Sequence, residues 1–173
     1  RAAFRRMQQA RHIGKIVVQL PNPLQPRADR SYLITGGLGA IGLHAASYLA
    51  QLGAGDIVLT SRRAPDAGAQ RVIEDITENY KCRIHVFAAD VGEESEVAKL
   101  LDRIRGELTP LAGVMHLAGV LDDALLSQQS LERFRTVLAP KAYGACYLDR
   151  LTRDDDLDFF IMSSSVSSLF GSP

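Results

Sequence analysis

Short apolar runs and longer amphipathic stretches alternate along most of the chain. Five runs rich in β-branched and other apolar residues predict strands, at residues 32–35, 56–60, 83–89, 111–117 and 157–162. Stretches with apolar residues at helical spacing lie between them, at residues 40–52, 72–80, 97–108 and 130–151, the last interrupted by Pro140. This alternation is typical of a parallel, doubly wound α/β sheet whose strands are buried on both faces. Such sheets normally have about six or seven strands, so we expect a C-terminally incomplete sheet.

The first 29 residues do not follow this pattern. Residues 1–11 form a basic stretch with helical spacing, and residues 16–20 are a short β-branched run that predicts a strand. Pro21, Pro23 and Pro26, three of the chain's seven prolines, come next. Because proline fixes φ and lacks a donor, residues 21–29 are expected to be an extended linker. We therefore predict a separate segment at residues 1–20 and one domain at residues 30–173.

The composition is that of a globular protein without a strong electrostatic preference. The 173 residues are 46% hydrophobic, and 20 Lys and Arg balance 20 Asp and Glu. This neutrality gives no reason to expect nucleic acid or an anionic membrane as partner, and no apolar run is long enough to span a bilayer. Cys82 and Cys146 are too few for a disulfide framework and predict a cytoplasmic setting, with Cys146 expected in the core. The four histidines have no spacing that suits a metal, so no metal is expected.

A glycine-rich turn lies between the first predicted strand and the first predicted helix. Residues 37–42 read Gly-Leu-Gly-Ala-Ile-Gly and fit the pattern G-x-G-x-x-G. Glycines in this place allow a tight turn and close approach of the backbone to a pyrophosphate, which rests on the helix N-terminus. The sequence therefore predicts a Rossmann-like dinucleotide site.

The end of the second predicted strand indicates which dinucleotide binds. An NAD site normally has an acidic residue here, but the strand ends in Thr60-Ser61-Arg62-Arg63, and Asp56 lies at the opposite end. A hydroxyl followed by guanidinium groups suits the 2′-phosphate of NADPH, because arginine donates forked, charge-assisted hydrogen bonds. The alternative is a solvated basic loop.

Seven motifs resemble those of ketoreductase domains, the short-chain dehydrogenase/reductase units of modular polyketide synthases and animal-type fatty acid synthases. Their order and spacing agree over about residues 30–173, with Ala40 in place of the middle glycine of the general family pattern. The motifs are Thr35-Gly36-Gly37-Leu38-Gly39-Ala40-Ile41-Gly42, Ser61-Arg62, Ala89-Asp90-Val91, His116-Leu117-Ala118-Gly119, Leu121-Asp122-Asp123, Pro140-Lys141 and Ser163-Ser164-Ser165.

The resemblance extends to the N-terminal segment. Residues 3–7 and 12–17 look like the last helix and strand of the enoyl reductase domain found in these synthases. The chain then resembles the tail of an enoyl reductase, a linker and most of a ketoreductase. This organisation implies neighbouring enoyl reductase and dehydratase domains and a homodimeric parent synthase.

The resemblance also implies an activity and catalytic residues. The reaction is the NADPH-dependent reduction of a β-ketoacyl thioester on acyl carrier protein. Ser165 would hydrogen-bond the substrate carbonyl, and Lys141 would bind the nicotinamide ribose and lower the pKa of a catalytic tyrosine. That tyrosine is expected thirteen residues after Ser165, beyond Pro173, so this piece alone is expected to be inactive.

The remaining site residues implied by the resemblance bind the cofactor or direct its stereochemistry. Asp123, together with Phe170 and Pro173, matches B-type ketoreductases, which give the D-configured hydroxyl. Asp90 would bind the adenine amino group, whereas His116 is interpreted as a packing residue. The cofactor-binding residues are Thr35, Gly37, Leu38, Gly39, Ile41, Ser61, Arg62, Asp90, Val91, Ala118, Gly119 and Lys141.

Taken without the resemblance, several of these residues have ordinary structural interpretations. Lys141 is a surface lysine, Asp90 caps a loop, and the serine-rich stretch from Ser163 is a polar strand end, in which a shift of one position is conceivable. Asp122 and Asp123 would favour the dipole at a helix start. Two other functions stay open: a non-catalytic nucleotide-binding or structural subdomain, and a free-standing short-chain dehydrogenase.

Overall fold

The computed structural model describes residues 24–165, which form a five-stranded parallel sheet flanked by helices. The sheet order is β3-β2-β1-β4-β5, with every pair parallel. The strands are β1 (Ser31–Thr35), β2 (Asp56–Ser61), β3 (Arg83–Ala88), β4 (Leu111–His116) and β5 (Phe159–Met162). The helices are α1 (Ala40–Gln51), α2 (Ala67–Asn79), α3 (Glu94–Glu107), α4 (Leu131–Leu138) and α5 (Gly144–Leu151). The predicted doubly wound fold is confirmed.

Burial of the strands follows their position in the sheet. Every residue of β1 and β4 is buried, as is β2 except for its last residue. The outer strands β3 and β5 are largely exposed or half-buried. The expectation of strands buried on both faces holds for the central strands only, because an outer strand has a neighbour on one side.

Two apolar layers hold the helices against the sheet. On one face, α1 and α2 pack with Tyr32 and Ile34. On the other face, α3 and α5 pack with Leu33 and Val58. Alternate residues of β1 therefore serve opposite layers, as the period of two in a strand requires.

The buried face of α1 differs from the apolar pattern that predicted the helix. Ile41 is 67% exposed and Tyr48 is 53% exposed. The buried residues are Gly42, Ala46, Leu49 and Ala50. Three of these four residues are Gly or Ala, and a Cβ on Gly42 would lie 2.5 Å from the Gly36 carbonyl oxygen, so the start of the helix lies close against the glycine turn.

Pro140 interrupts the last long helical segment, as predicted. The chain continues from α4 through a π-helical turn, Ala139–Tyr143, into α5, and the Gly144 N–H donates to the carbonyl of Ala139. A wider turn accommodates a residue that has no N–H and whose ring crowds the preceding turn. The structure also has a short 3₁₀ turn at Leu126–Gln128 that the sequence did not predict. Cys146, which was expected in the core, is exposed, so that prediction is wrong.

The segment before β1 packs on the domain. The Arg27 N–H donates to the Tyr32 hydroxyl at 2.6 Å, and the Arg27 guanidinium binds Asp158 at 3.0 Å. A Cβ on Gly55 would lie 1.9 Å from the Ala28 carbonyl oxygen. Residues 27–30 are thus in contact with the sheet edge. The predictions for residues 1–20, and for Phe170 and Pro173, lie outside the described residues. None of the described helices is long and apolar enough to cross a bilayer.

Candidate functional site

The glycine turn after β1 forms a cradle that side chains would fill. Gly36 has φ of +65°, and a Cβ there would lie 2.9 Å from the Ala118 nitrogen. A Cβ on Gly42 would lie 2.5 Å from the Gly36 carbonyl oxygen, and one on Gly37 would lie 2.8 Å from Leu59 Cβ. The turn is therefore pressed between α1 and the ends of β2 and β4. Position 36 requires glycine for two reasons, the left-handed backbone and the lack of space for a Cβ.

The N-terminus of α1 opens from this turn. Its N-cap is Gly39, and the first turn of the helix carries no acidic residue. A glycine N-cap leaves the first backbone N–H groups without a capping side chain, and the positive end of the helix dipole favours an anion. This arrangement suits a pyrophosphate, as the sequence predicted.

A cleft of about 460 Å³ lies directly over the glycine turn. Its lining combines the turn with the end of β2 and the end of β4 and includes Leu38, Gly39, Ser61, Arg63 and Gly119. The Arg63 N–H donates to the Ser61 hydroxyl at 3.4 Å, which folds the basic loop over the strand end. Arg63 belongs to the basic pair that the sequence suggested for the 2′-phosphate, although only Arg62 was assigned to the cofactor from the resemblance. Gly36 was not assigned, although the Gly-Gly pair after the strand was a signal for it.

A smaller cleft of about 160 Å³ continues past the end of β2 toward the loop after β3. Arg62 and Asp90 face each other here, with Arg62 Nη1 3.9 Å from Asp90 Oδ2. The Arg62 side chain is 61% exposed, so solvent screens this ion pair. The guanidinium is held near the cleft without being buried, which leaves it able to bind an added phosphate.

The contacts of Asp90 bear out its interpretation as a loop-capping residue, while its binding of adenine stays a prediction. Its Oδ1 accepts from the Gly92 N–H at 2.9 Å, and its own N–H donates to Glu96 Oε2 at 2.6 Å. These contacts make it a loop-capping residue. Its Oδ2 lines the cleft on the side of Arg62. One carboxylate oxygen therefore shapes the loop while the other faces the cleft.

The largest cleft of the four described, about 710 Å³, lies at the carboxyl ends of β4 and β5. Lys141 and Ser165 both line it, although one belongs to the π-helical turn and the other follows β5. Ile41 forms an apolar wall. Gly119 belongs to this cleft and to both cofactor clefts. The fold thus brings the two predicted catalytic residues to one space that adjoins the predicted cofactor path.

Lys141 reaches this space by passing over Gly119. A Cβ built on Gly119 would lie 3.0 Å from Lys141 Cε and 3.8 Å from its Cγ. The stem of the lysine therefore lies against the bare backbone of the glycine. The catalytic tyrosine that Lys141 is expected to assist is not supplied by the tyrosines that follow it, since neither Tyr143 nor Tyr147 is among the residues that line the cleft.

Asp123 lies in a neighbouring cleft of about 190 Å³, which also has Lys141 in its lining. Arg133, on α4, holds the loop that carries Asp123. Its guanidinium donates to Asp122 Oδ1 and to the Asp123 carbonyl at 3.3 Å. The sequence did not single out Arg133, because a contact across this loop has no local pattern.

Two predicted cofactor residues, Thr35 and Gly37, line none of the four described clefts, and a third, Val91, lines only one of them. Thr35 is fully buried, and its Oγ1 accepts from the N–H groups of Leu117 and Ala118 at 3.2 Å each. Gly37 is buried beneath the turn. Val91 lines the smaller cleft but is only 5% exposed, because it packs into the core.

A second polar cluster lies at the opposite, amino edge of the sheet. Asp56 accepts two hydrogen bonds from Arg83, at 2.6 and 2.7 Å, and others from His85 and Thr109 at 2.8 Å. Burial would raise the pKa of Asp56, but these hydrogen bonds and the charge of Arg83 lower the pKa to about 2. The cluster is structural and far from the glycine turn, since β2 runs between them.

A nicotinamide dinucleotide fits the residues at the carboxyl edge of the sheet, around the glycine turn. The cradle excludes side chains where a pyrophosphate must approach the backbone, and the helix end above it favours an anion. Arg62 and Arg63 stand at the end of β2, where a ribose binds in this fold.

Comparisons with known proteins give the family of this chain. The family model described as the KR domain matches residues 30–173. The chain is 42% identical over 175 residues to the phenolphthiocerol synthesis polyketide synthase type I Pks15/1 of Mycobacterium marinum, covering 99% of this chain and 8% of that relative. It is equally similar, 42% over 175 residues, to a protein of Mycobacterium tuberculosis named "Putative inactive phenolphthiocerol synthesis polyketide synthase type I Pks1", covering 99% of this chain and 11% of that one.

A solved structure extends the likeness to the fold. The structure of A-type ketoreductases from a modular polyketide synthase superimposes with a TM-score of 0.80 at 35% identity, covering 91% of this chain and 33% of that chain. The chain spans less than a tenth of the length of the Mycobacterium marinum relative. Ketoreductase domains of this type are oxidoreductases that bind a nicotinamide cofactor. The chain belongs to the KR domain family, the ketoreductase domains of polyketide synthases.

Proposed function

We propose that this domain binds NADPH and reduces a β-ketoacyl thioester carried on acyl carrier protein to the β-hydroxyacyl thioester. The observation that carries the proposal is the shared cleft of Lys141 and Ser165, which joins the cofactor clefts at Gly119. A reaction between cofactor and substrate requires the two to be held side by side in one geometry. A continuous space along these residues meets that requirement.

The preference for NADPH rests on the end of β2. Arg62 and Arg63 line the clefts there. Guanidinium groups bind a phosphate through paired, charge-assisted hydrogen bonds, whereas an NAD site places a carboxylate at this position. Asp56, the acidic residue of β2, is at the other end of the strand and is occupied by Arg83.

The chemistry divides between the cofactor and the chain. Bound NADPH supplies the hydride for the β-carbon of the substrate. Ser165 donates a hydrogen bond to the ketone oxygen and so holds it in place as negative charge develops there. Lys141 lies against Gly119, where its ammonium would bind the nicotinamide ribose. We assign proton donation to a tyrosine outside the described residues, whose pKa the Lys141 charge would lower.

B-type stereochemistry is proposed from the loop of Asp123. Asp123 lies in the cleft next to Lys141, and Arg133 ties the loop to α4 through Asp122. A loop held in place beside Lys141 can restrict the direction from which the substrate approaches the cofactor. The proposed product is the D-configured alcohol.

The wider assembly is inferred from the relatives. Because the Mycobacterium marinum match covers 99% of this chain, the sequence before residue 30 also has a counterpart inside one polyketide synthase. We propose that residues 1–20 are the tail of an enoyl reductase domain and that a dehydratase domain belongs to the same cytoplasmic, homodimeric synthase.

One experiment separates this function from its main rival. Purified full-length protein is mixed with NADPH and a β-ketoacyl thioester, and the loss of NADPH is followed by absorbance. Substrate-dependent loss is expected. NADPH binding without loss would instead support the second candidate, a non-catalytic nucleotide-binding domain, which is considered because one relative has "Putative inactive" in its name.

A further inference from the structure

Strand β5 leads to Ser165 but is short and lies at the side of the sheet. It has four residues, Phe159–Met162, which are half-buried or exposed. Within residues 24–165 it pairs with β4 alone, and the Ser163 N–H extends that ladder to the His116 carbonyl at 3.1 Å. Because a strand rises about 3.3 Å per residue, a slip of one position would carry Ser165 out of the largest cleft. The register of β5 is therefore a requirement of the site.

An aromatic stack specifies that register. Tyr32 of β1, Gly113 of β4 and Phe159 of β5 are partners in the two ladders and lie at one level of the sheet. Because a Cβ on Gly113 would lie 2.7 Å from Phe159 Cε1, the bare glycine gives room for the phenylalanine ring. That ring stacks on Tyr32, with centroids 5.6 Å apart and an angle of 10° between the planes. A slip of one residue would move Phe159 to the other face of the sheet and destroy the stack.

Arg27, in the segment before β1, contacts both sides of this stack. Its guanidinium donates to both carboxylate oxygens of Asp158, from Nε to Oδ2 at 3.1 Å and from Nη2 to Oδ1 at 3.0 Å. Its backbone N–H donates to the Tyr32 hydroxyl at 2.6 Å. Asp158 directly precedes β5, and its own N–H donates to the Ala112 carbonyl at 2.7 Å. One residue thus binds the inner ring of the stack and the residue from which β5 begins.

The backbone of Arg27 is itself held in place. Its carbonyl accepts from the N–H groups of Gly55 and Arg30, each at 3.3 Å. Leu24, three positions earlier, packs against the apolar layer that α1 and α2 form with the sheet. The guanidinium is therefore presented to Asp158 from a fixed backbone.

The ion pair contributes geometry more than stability. The side chains of Arg27 and Asp158 are each 36% exposed, so solvent screens their attraction. A two-point contact between a guanidinium and a carboxylate nevertheless allows only a narrow range of orientations. Loss of the contact should therefore change the position of β5 more than the stability of the whole domain.

We propose that Arg27 is a positioning residue that seats the start of β5 against the sheet and so places Ser165 in its cleft. Asp158 and Ser165 stand on either side of β5, so a displacement at the start of this short strand is carried along it to the serine. Arg27 precedes residue 30, where the match to the KR domain model begins. The role in catalysis rests on the proposed function, whereas the contact with Asp158 does not.

Three variants of the full-length protein isolate the contact. Arg27→Met removes the guanidinium while keeping a long stem and the backbone N–H that binds Tyr32. Arg27→Lys keeps the charge but loses the two-point geometry, so its effect should be smaller than that of Arg27→Met. Arg30→Met is the matched control, because the Arg30 guanidinium donates to the adjacent Asp29.

The contact is tested by amide hydrogen exchange with mass spectrometry. Arg27→Met is expected to speed exchange by about tenfold in the peptide covering residues 158–165, while the peptides of β1 and β2 stay protected. Arg27→Lys should give a smaller increase, and Arg30→Met none. Unaltered exchange at residues 158–165 in Arg27→Met would overturn the proposal, whether or not the protein reduces ketones. An equal increase in all strands would also overturn it, because that result would mean a general loss of stability.

Steady-state kinetics test the route through Ser165. Arg27→Met should lower kcat by about tenfold but change the KM for NADPH by less than about twofold, because the glycine turn belongs to β1 and α1. Beside Ser165→Ala, the same substitution should lower kcat by less than about twofold. An equal loss in both backgrounds would refute the positioning role. Absence of reduction by the wild-type protein would instead overturn the proposed function and leave the exchange result standing.

Discussion

The side chain of Lys141 lies across Gly119, so a Cβ at Gly119 would stand 3.0 Å from Lys141 Cε. The backbone of Gly119 has no positive φ, so alanine there meets no conformational barrier. The added methyl group should therefore displace only the end of the flexible Lys141 side chain. The glycine thus allows the lysine to enter the cleft that it shares with Ser165.

We expect Gly119→Ala to displace Lys141 and to lower kcat of the full-length protein by about tenfold, with the fold intact. The measurement is steady-state reduction of a β-ketoacyl thioester, with circular dichroism to check folding. Gly106→Ala is the control, since a Cβ there meets nothing within 4 Å, and helix propensity predicts a gain of about 0.4–1 kcal/mol in stability. An unchanged kcat in Gly119→Ala would contradict the role given to this contact.

Arg62→Ala should weaken NADPH binding far more than NADH binding. Loss of charge-assisted hydrogen bonds to the 2′-phosphate, worth about 1.5–3 kcal/mol, corresponds to about 10- to 100-fold in Kd. Both cofactors are titrated by fluorescence. Arg71→Ala, an exposed arginine of α2 outside the clefts, should change neither affinity. Equal losses for NADPH and NADH would remove the basis for the 2′-phosphate site.

Arg133→Met should loosen the loop of Asp123 and reduce stereochemical control. The substitution removes the donors to Asp122 and to the Asp123 carbonyl while keeping a long apolar stem. Chiral chromatography of the reduced product should give a lower fraction of the D-configured alcohol. The control is Arg135→Met, an exposed arginine two positions along α4 that does not line this cleft. Unchanged product configuration would show that the loop is held by other contacts.

Asp56 should make stability depend on pH in the acid range. Since the folded pKa is lowered from 3.8 to about 2, the folded state holds fewer protons than the unfolded state as pH falls. The stabilisation, about 2 kcal/mol, is therefore present above about pH 5 and lost toward pH 2. Urea unfolding at a series of pH values measures it.

The matching variant is Asp56→Asn, which should be less stable than wild type at pH 7 by at least that amount, with the difference shrinking as pH falls. Asp75→Asn, at an exposed carboxylate of α2, should follow the wild-type curve. A constant gap between Asp56→Asn and wild type down to pH 2 would mean that the carboxylate charge is not what stabilises this edge.

The elements of the fold could be read from local pattern, but their contacts could not. The five strands predicted within residues 30–173 all occur, because short apolar runs between turns have few other stable arrangements in water, while the strand predicted at residues 16–20 lies outside the described residues. The buried face of α1 could not be read from the apolar spacing, since Gly42 and Ala46 carry almost no hydrophobic signal yet are buried. Pro140 interrupts its α-helix as predicted, but the chain crosses the interruption in a π-helical turn that the local pattern did not indicate.

The sequence by itself determined the order of strands and helices, the glycine turn and the residue types available for a dinucleotide, since each depends on neighbours within a few positions. Only the tertiary structure decided which of those residues meet. Lys141 and Ser165 share a cleft, and a hydrogen bond joins Thr35 to His116, which lies 81 positions further along the chain. The physical reason is that a parallel sheet gathers the carboxyl ends of distant strands at one edge. Contacts between elements there depend on register and packing that no local sequence pattern records.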